Sequence, residues 1–175
     1  MDYIVPHDNT ILPGMKTVMG DCAQSFAVTY TRDIEYVRRG DLALHLQLLM
    51  PEDLKPKDMT PPFIESARER RFPLVIYVQG AAWGEQFPAF LQDLKSAIRF
   101  MRANAENYRI DPDQVAIWGD SSGGHTALMV GVTGDMPEFK TEDNAEFSDA
   151  VCAVVDFYGP TDVTRVNDAP RDPMV

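Results

Sequence analysis

Three short apolar runs, LVIYV (74–78), VAIW (115–118) and VCAVVDFY (151–158), constrain the fold more than any other feature of this chain. Each is too short for a helix, rich in β-branched and aromatic residues, and apolar at successive positions. That pattern suits strands of a parallel sheet covered on both faces. Parallel neighbours need long crossovers, and the segments between the runs provide them. In the first, Phe90, Leu91, Leu94, Ala97, Ile98, Met101 and Ala105 recur at helical spacing, with Gln92, Asp93, Lys95, Arg99 and Arg102 on the other face. In the second, a helix is expected from about Gly124 to Val132, after which the acidic stretch TGDMPEFKTEDNAEFSD leads back to the sheet. The result is a right-handed β-α-β-α-β unit.

Upstream, FAVTY (26–30) and LALHLQLLM (42–50) read as two further strands. Leu42, Leu44, Leu46 and Leu48 alternate at period two, so one face of the second strand is expected to be buried. Prolines and scattered charges make 51–73 a connecting loop. A length of 175 residues, 45% of them hydrophobic, fits one domain spanning 1–175. The formal charge of −11 repels phosphate backbones and anionic lipid surfaces, so neither nucleic acid nor membrane is an expected partner. Cys22 and Cys152 lie far apart, and Cys152 sits in an apolar run that suits a reduced, buried thiol. The first residues, MDYIVPHDNT, carry neither the basic nor the apolar region of a secretion signal, and a cytoplasmic location is the expectation.

Between the second strand and its helix stands Gly119-Asp120-Ser121-Ser122-Gly123-Gly124. Ser121 has glycine two positions before and two after, the G-x-S-x-G spacing of a nucleophile on a sharp strand-to-helix turn. Small residues are needed there because strand and helix backbones come together while the serine takes a strained conformation that projects its hydroxyl. The amide of Ser122, at the helix start, is placed to receive a developing oxyanion. Taken alone, the pattern also fits a glycine-rich turn that cradles phosphate.

A second motif, YVQGAAWGEQ, follows the strand at 74–78. QGAAW (79–83) resembles the HGGGW-like oxyanion loop, and GDSSGGH (119–125) the GDSAGGH-like elbow, of α/β-hydrolase esterases of the hormone-sensitive-lipase and BD-FAE (bacterial feruloyl and acetyl esterase-like) type. The run from DLKSAIRF to GGHTA and the stretch VVDFYGPTDV are similar to the same group. The resemblance implies a three-layer fold, a mostly parallel sheet with helices on both faces. It also implies carboxylic ester hydrolysis through an acyl-enzyme on Ser121, with the backbone N–H groups of Ala81, Ala82 and Ser122 as oxyanion donors and Gly119 and Gly123 as elbow glycines. Ala81 and Ala82 replace glycines of the family loop, keeping the N–H groups but restricting the backbone.

Two departures make the domain an incomplete version of that fold. The family places its acid and histidine well beyond the strand at 151–158; His7, His45 and His125 do not match them, and His125 is expected to be a helix-packing residue, so the chain is expected to lack the triad acid and histidine and to be weak or inactive alone. The family also has a further helix and strand where WGEQFPAF joins Trp83 directly to the next helix. The strands at 42–50 and 74–78 are therefore expected either to pair directly or to leave a gap. Asp120 and Asp162 read as local hydrogen-bonding groups and Asp156 as a strand-end residue. The resemblance implies a small-molecule ester substrate, short-chain or acetyl; no metal or organic cofactor is expected, since the sequence has no His/Cys cluster and no phosphate-binding loop with a following lysine. Two rival readings are a non-catalytic binding protein on the same fold and a serine peptidase of the prolyl-oligopeptidase type.

Overall fold

A computed structural model describes residues 28–51, 71–80 and 86–162. The elements in chain order are β1 (Val28–Arg39), β2 (Leu42–Pro51), β3 (Phe72–Val78), α1 (Ala89–Ala103), β4 (Ile110–Asp120), α2 (Ser122–Val132), a short 3₁₀ turn (Pro137–Phe139) and β5 (Ala153–Phe157). The three apolar runs form one parallel sheet in the order β3-β4-β5, with Ile76 opposite Ile117 and Ile117 opposite Val154. The second strand reaches five residues further back than its apolar run, to Ile110. Pro112 and Asp113 interrupt the pairing there: Phe72 and Pro73 face Ile110 and Asp111, and the register then jumps so that Leu74 faces Val115. The Asp111 carboxylate accepts the amide of Asp113, turning the chain through this irregularity.

Alternation along the strands shows where the helices lie. Leu74, Val115 and Ile117 are buried against Leu91, Ile98 and Met101 of α1 and Ala127 and Val130 of α2, one contiguous core. The intervening positions face away, leaving Val75, Tyr77, Val155 and Phe157 exposed. Helices were expected on both faces; among the described residues both helices cover the same one. The uniform apolarity of the runs therefore does not reflect cover on both sides within this part of the chain. On the bare face Tyr77 stacks on Trp118 with ring centroids 4.4 Å apart, and Phe157 meets Trp118 edge-on.

The remaining strands form a separate antiparallel hairpin, joined at Gly40 and Asp41, where Gly40 takes φ +59°. Its first strand runs nine residues past the FAVTY reading because 31–39 is charged; Arg32, Asp33, Glu35 and Arg38 face solvent. Of the four alternating leucines, Leu44 and Leu46 are half-buried, Leu48 is buried and Leu42, at the hairpin end, is exposed. No ladder joins β2 to β3, so the sheet has the gap that was one of the two expectations. Side chains dock the hairpin instead: Leu48 enters the core, and Arg39 bonds Asp93 and Ser96 of α1 and Asp143 beyond α2.

The polar face of α1 departs most from its amphipathic reading. Lys95, Ser96 and Arg99 are fully buried, because the acidic segment after α2 folds over them. The Asp149 carboxylate sits between the Lys95 ammonium and the Arg99 guanidinium, which also donates to Thr141 and to the Asp143 carbonyl. Arg102 clamps the same segment through the carbonyls of Ser148 and Ala150. Two buried cations are tolerated because each finds several acceptors. Cys152, expected to be buried, is exposed, and Cys22 lies outside the described residues. Among the described residues no helix is long and apolar enough to cross a membrane.

Candidate active site

Strand β4 ends at Asp120 and α2 begins at Ser122, so Ser121 alone makes the corner between them. Its backbone has φ 52° and ψ −124°, a region that costs a non-glycine residue about 1–3 kcal/mol. Two hydrogen bonds hold it there: its amide donates to the Phe157 carbonyl at 2.9 Å, and its own carbonyl accepts the His125 amide at 3.1 Å. The residue is exposed, with the positive end of α2 beside it.

The corner closes because side chains are absent around it. A Cβ on Gly119 would lie 2.4 Å from the Gly123 carbonyl oxygen, and one on Gly123 would lie 2.1 Å from that of Val78. Strand β3, strand β4 and the first turn of α2 thus meet backbone to backbone. A Cβ on Gly124 would strike the Asp156 carboxylate at 2.1 Å, and that same carboxylate accepts the Gly159 amide. Asp156 therefore fixes the turn after β5, which fits its strand-end reading.

The loop after β3 starts against this corner. Gly80 is buried, and a Cβ there would come 3.0 Å from the Ser121 Cβ and 2.8 Å from the Asp120 carbonyl oxygen. Its amide donates to Asp120 Oδ1 at 3.1 Å, and the Tyr77 hydroxyl donates to the same oxygen at 2.8 Å. The bond to Asp120, more than the slight burial, raises the Tyr77 phenol above its ordinary pKa. Asp120 is thus the local hydrogen-bonding group the sequence suggested, though nothing in the sequence singled out Tyr77 as its partner. Ala81, Ala82 and Trp83 lie outside the described residues, so of the second motif the structure describes Gln79 and Gly80.

The comparisons can be set beside this geometry. The BD-FAE family profile matches residues 84–174, a little over half of the chain. The chain belongs to the BD-FAE family. It is similar, at 36% identity over 89 residues, to a probable carboxylic ester hydrolase, LipM, of Mycobacterium tuberculosis (strain ATCC 25618 / H37Rv). The esterase LipC of the same organism matches at 34% over 77 residues. These stretches cover 51% and 44% of this chain but only 20% and 19% of the relatives, so the chain spans about a fifth of their length. Among solved structures, a truncated carbohydrate esterase from gut microbiota superposes with TM-score 0.64 at 23% identity, over 82% of this chain and 60% of that one. A bifunctional GH43-CE protein of Bacteroides eggerthii gives TM-score 0.64 at 26% identity, over 79% of this chain and 24% of its own length. The fold is that of the α/β-hydrolase esterases.

Of the histidines in this BD-FAE domain, two lie among the described residues. His125 donates Nδ1–H to the Pro160 carbonyl at 2.8 Å and packs its ring near Phe90, the helix-packing part expected of it. His45 lies on β2 opposite Glu35, and His7 is outside the described residues. Asp162 is among the described residues and is engaged in an interaction of its own. The buried Lys95–Asp149–Arg99 cluster was missed because charge in a helical pattern ordinarily marks the solvated face.

Proposed function

We propose that the BD-FAE domain is a carboxylic ester hydrolase whose nucleophile is Ser121, acting on small-molecule esters with short or acetyl acyl groups. One observation carries this reading: an exposed serine is held in a strained conformation at a glycine-walled corner, between the N-terminus of α2 and the Gly80 backbone. Strain of about 1–3 kcal/mol kept at one residue, with neighbours that exclude any other arrangement, suits a side chain that must project. The names of the curated relatives, carboxylic ester hydrolase and esterase, support the same chemistry.

In this mechanism the Ser121 hydroxyl oxygen attacks the ester carbonyl carbon while a base removes its proton. The carbonyl π electrons move to oxygen, and the oxyanion is received by the backbone N–H of Ser122 and that of Ala81 or Ala82. Each such donor is worth about 2.7–4 kcal/mol in comparable sites. Collapse expels the alcohol, which takes the proton from the base, and leaves an acyl group on Ser121. Water activated by the same base then releases the acid. The family order serine, acid, histidine assigns the base and its orienting carboxylate to positions after β5; the three histidines of this chain all precede β5, and His125, committed to Pro160, is not that base.

The test is hydrolysis of p-nitrophenyl acetate, butyrate and decanoate by the full-length protein, with the family acid and histidine present, and by its S121A variant. Faster turnover of the short esters, lost by about 10⁶-fold in S121A, is expected. Equal hydrolysis by S121A excludes the proposed nucleophile, and hydrolysis by neither leaves the reading of a non-catalytic binding protein.

A further inference from the structure

We propose that Asp120 is a positioning residue of the esterase centre, gathering Tyr77 and the Gly80 backbone into a clamp that sets the start of the loop after β3 against Ser121. The inference rests on the reading of Ser121 as nucleophile and adds a residue that takes no part in the chemistry itself.

Asp120 ends β4, so its backbone is fixed by pairing with Phe157 of β5, and its side chain is spent on the neighbouring strand. Both donors reach the same oxygen, Oδ1, the Tyr77 hydroxyl at 2.8 Å and the Gly80 amide at 3.1 Å. Oδ2 lies 2.9 Å from where a Gly80 Cβ would stand, so the carboxylate also fills the space that keeps position 80 a glycine. Gly80 N–H is thereby committed to Asp120 and cannot serve an oxyanion; donors from this loop must come from later amides. Where those amides lie depends on where the chain leaves Gly80, whose missing Cβ would meet that of Ser121 at 3.0 Å, and a shift of about 1 Å at such a point costs about 10²-fold in rate. The raised pKa of Tyr77 has the Asp120 hydrogen bond as its first cause, with Tyr158 adding a smaller push. Tyr77 itself is held flat by stacking on Trp118, which keeps its hydroxyl in place.

The experiment measures labelling of Ser121 by a fluorophosphonate in the full-length protein, with the family acid and histidine present, for wild type, D120A, D120N and Y77F, together with thermal midpoints and amide exchange at Gly80. D120A removes the shared acceptor and is expected to slow labelling by about 10²–10³-fold, the effect of one lost oxyanion donor, with faster exchange at Gly80. D120N keeps an Oδ1 that accepts from both donors, and is expected to recover most of that loss. Y77F removes one arm from an exposed side chain and tests the clamp even if D120A does not fold; it is expected to slow labelling about five-fold. A residue with a merely structural part lowers the midpoint without this rescue. Labelling of D120A or Y77F at the wild-type rate overturns the proposal, as does D120N as slow as D120A. Absence of labelling in wild type overturns the hydrolase reading and the positioning role with it, even where exchange at Gly80 still responds to D120A.

Discussion

Replacing Gly123 with alanine perturbs the point where β3 and α2 touch. The new Cβ would stand 2.1 Å from the Val78 carbonyl oxygen, 2.8 Å from its carbon and 2.9 Å from that of Gln79. All three are backbone atoms, two of them at the end of the parallel ladder, so no side chain can swing aside. Restoring an ordinary contact of 3.4 Å moves helix and strand apart by roughly 1.3 Å. Overpacking of this kind costs about 1–3 kcal/mol, and rigid walls put Gly123 at the upper end. Alanine's better helix propensity returns about 1 kcal/mol, leaving a net loss near 2 kcal/mol. For a domain of this size that lowers Tm by roughly 4–8 °C. The effect on the site is larger, since displacement of about 1 Å between Ser121 and the β3 loop lowers the rate about 10²-fold. Calorimetry and fluorophosphonate labelling on the same samples separate the two effects. G40A is the control: its Cβ meets nothing within 4 Å, although φ +59° makes alanine strained there, so it loses stability without losing labelling. A G123A protein that labels at the wild-type rate refutes the claim that this contact sets the corner.

Two further outcomes concern the frame around the site. D149A strands Lys95 and Arg99, both fully buried, and is expected to cost about 3–5 kcal/mol in a denaturant titration; a loss under about 1 kcal/mol contradicts the reading that this carboxylate holds the segment after α2 onto α1. In native-state hydrogen exchange, amides of the β3-β4-β5 ladder, such as that of Ile76, should open at higher free energy than those of the hairpin, such as that of Leu44, because side chains alone dock the hairpin. A single opening free energy across both sheets contradicts the gap.

The parts of this fold that were legible in the sequence are those where local pattern and burial agree. LVIYV and VAIW are strands because a short β-branched run with buried alternate positions suits little else, VCAVVDFY yields the shorter and largely exposed β5, and the periodic residues from Phe90 to Met101 are a helix because their spacing fits one side of it. The corner at Ser121 was legible because backbone crowding leaves no room for Cβ atoms at Gly119 and Gly123, which any reader of residues can see. What the sequence hid depends on partners distant in the chain. β1 was cut short because its charged residues point to solvent, and Lys95 and Arg99 look solvated until Asp149, about fifty positions away, is folded between them. Exposure of Cys152 and of the Tyr77–Trp118–Phe157 face follows from which side the helices take, a choice that apolar runs alone do not encode. The clamp at Asp120 needed the register of β3 on β4, which brings Tyr77 opposite Trp118 and carries Gly80 to the elbow.

The most direct test of the account is the site of covalent capture. The full-length protein, with the family acid and histidine present, is treated with a fluorophosphonate, digested, and the adduct mapped by mass spectrometry. A single phosphonylated residue, Ser121, absent from S121A and from the heat-unfolded chain, is the predicted result. An adduct on another serine, or one that forms equally after unfolding, contradicts the claim that this corner makes Ser121 a nucleophile.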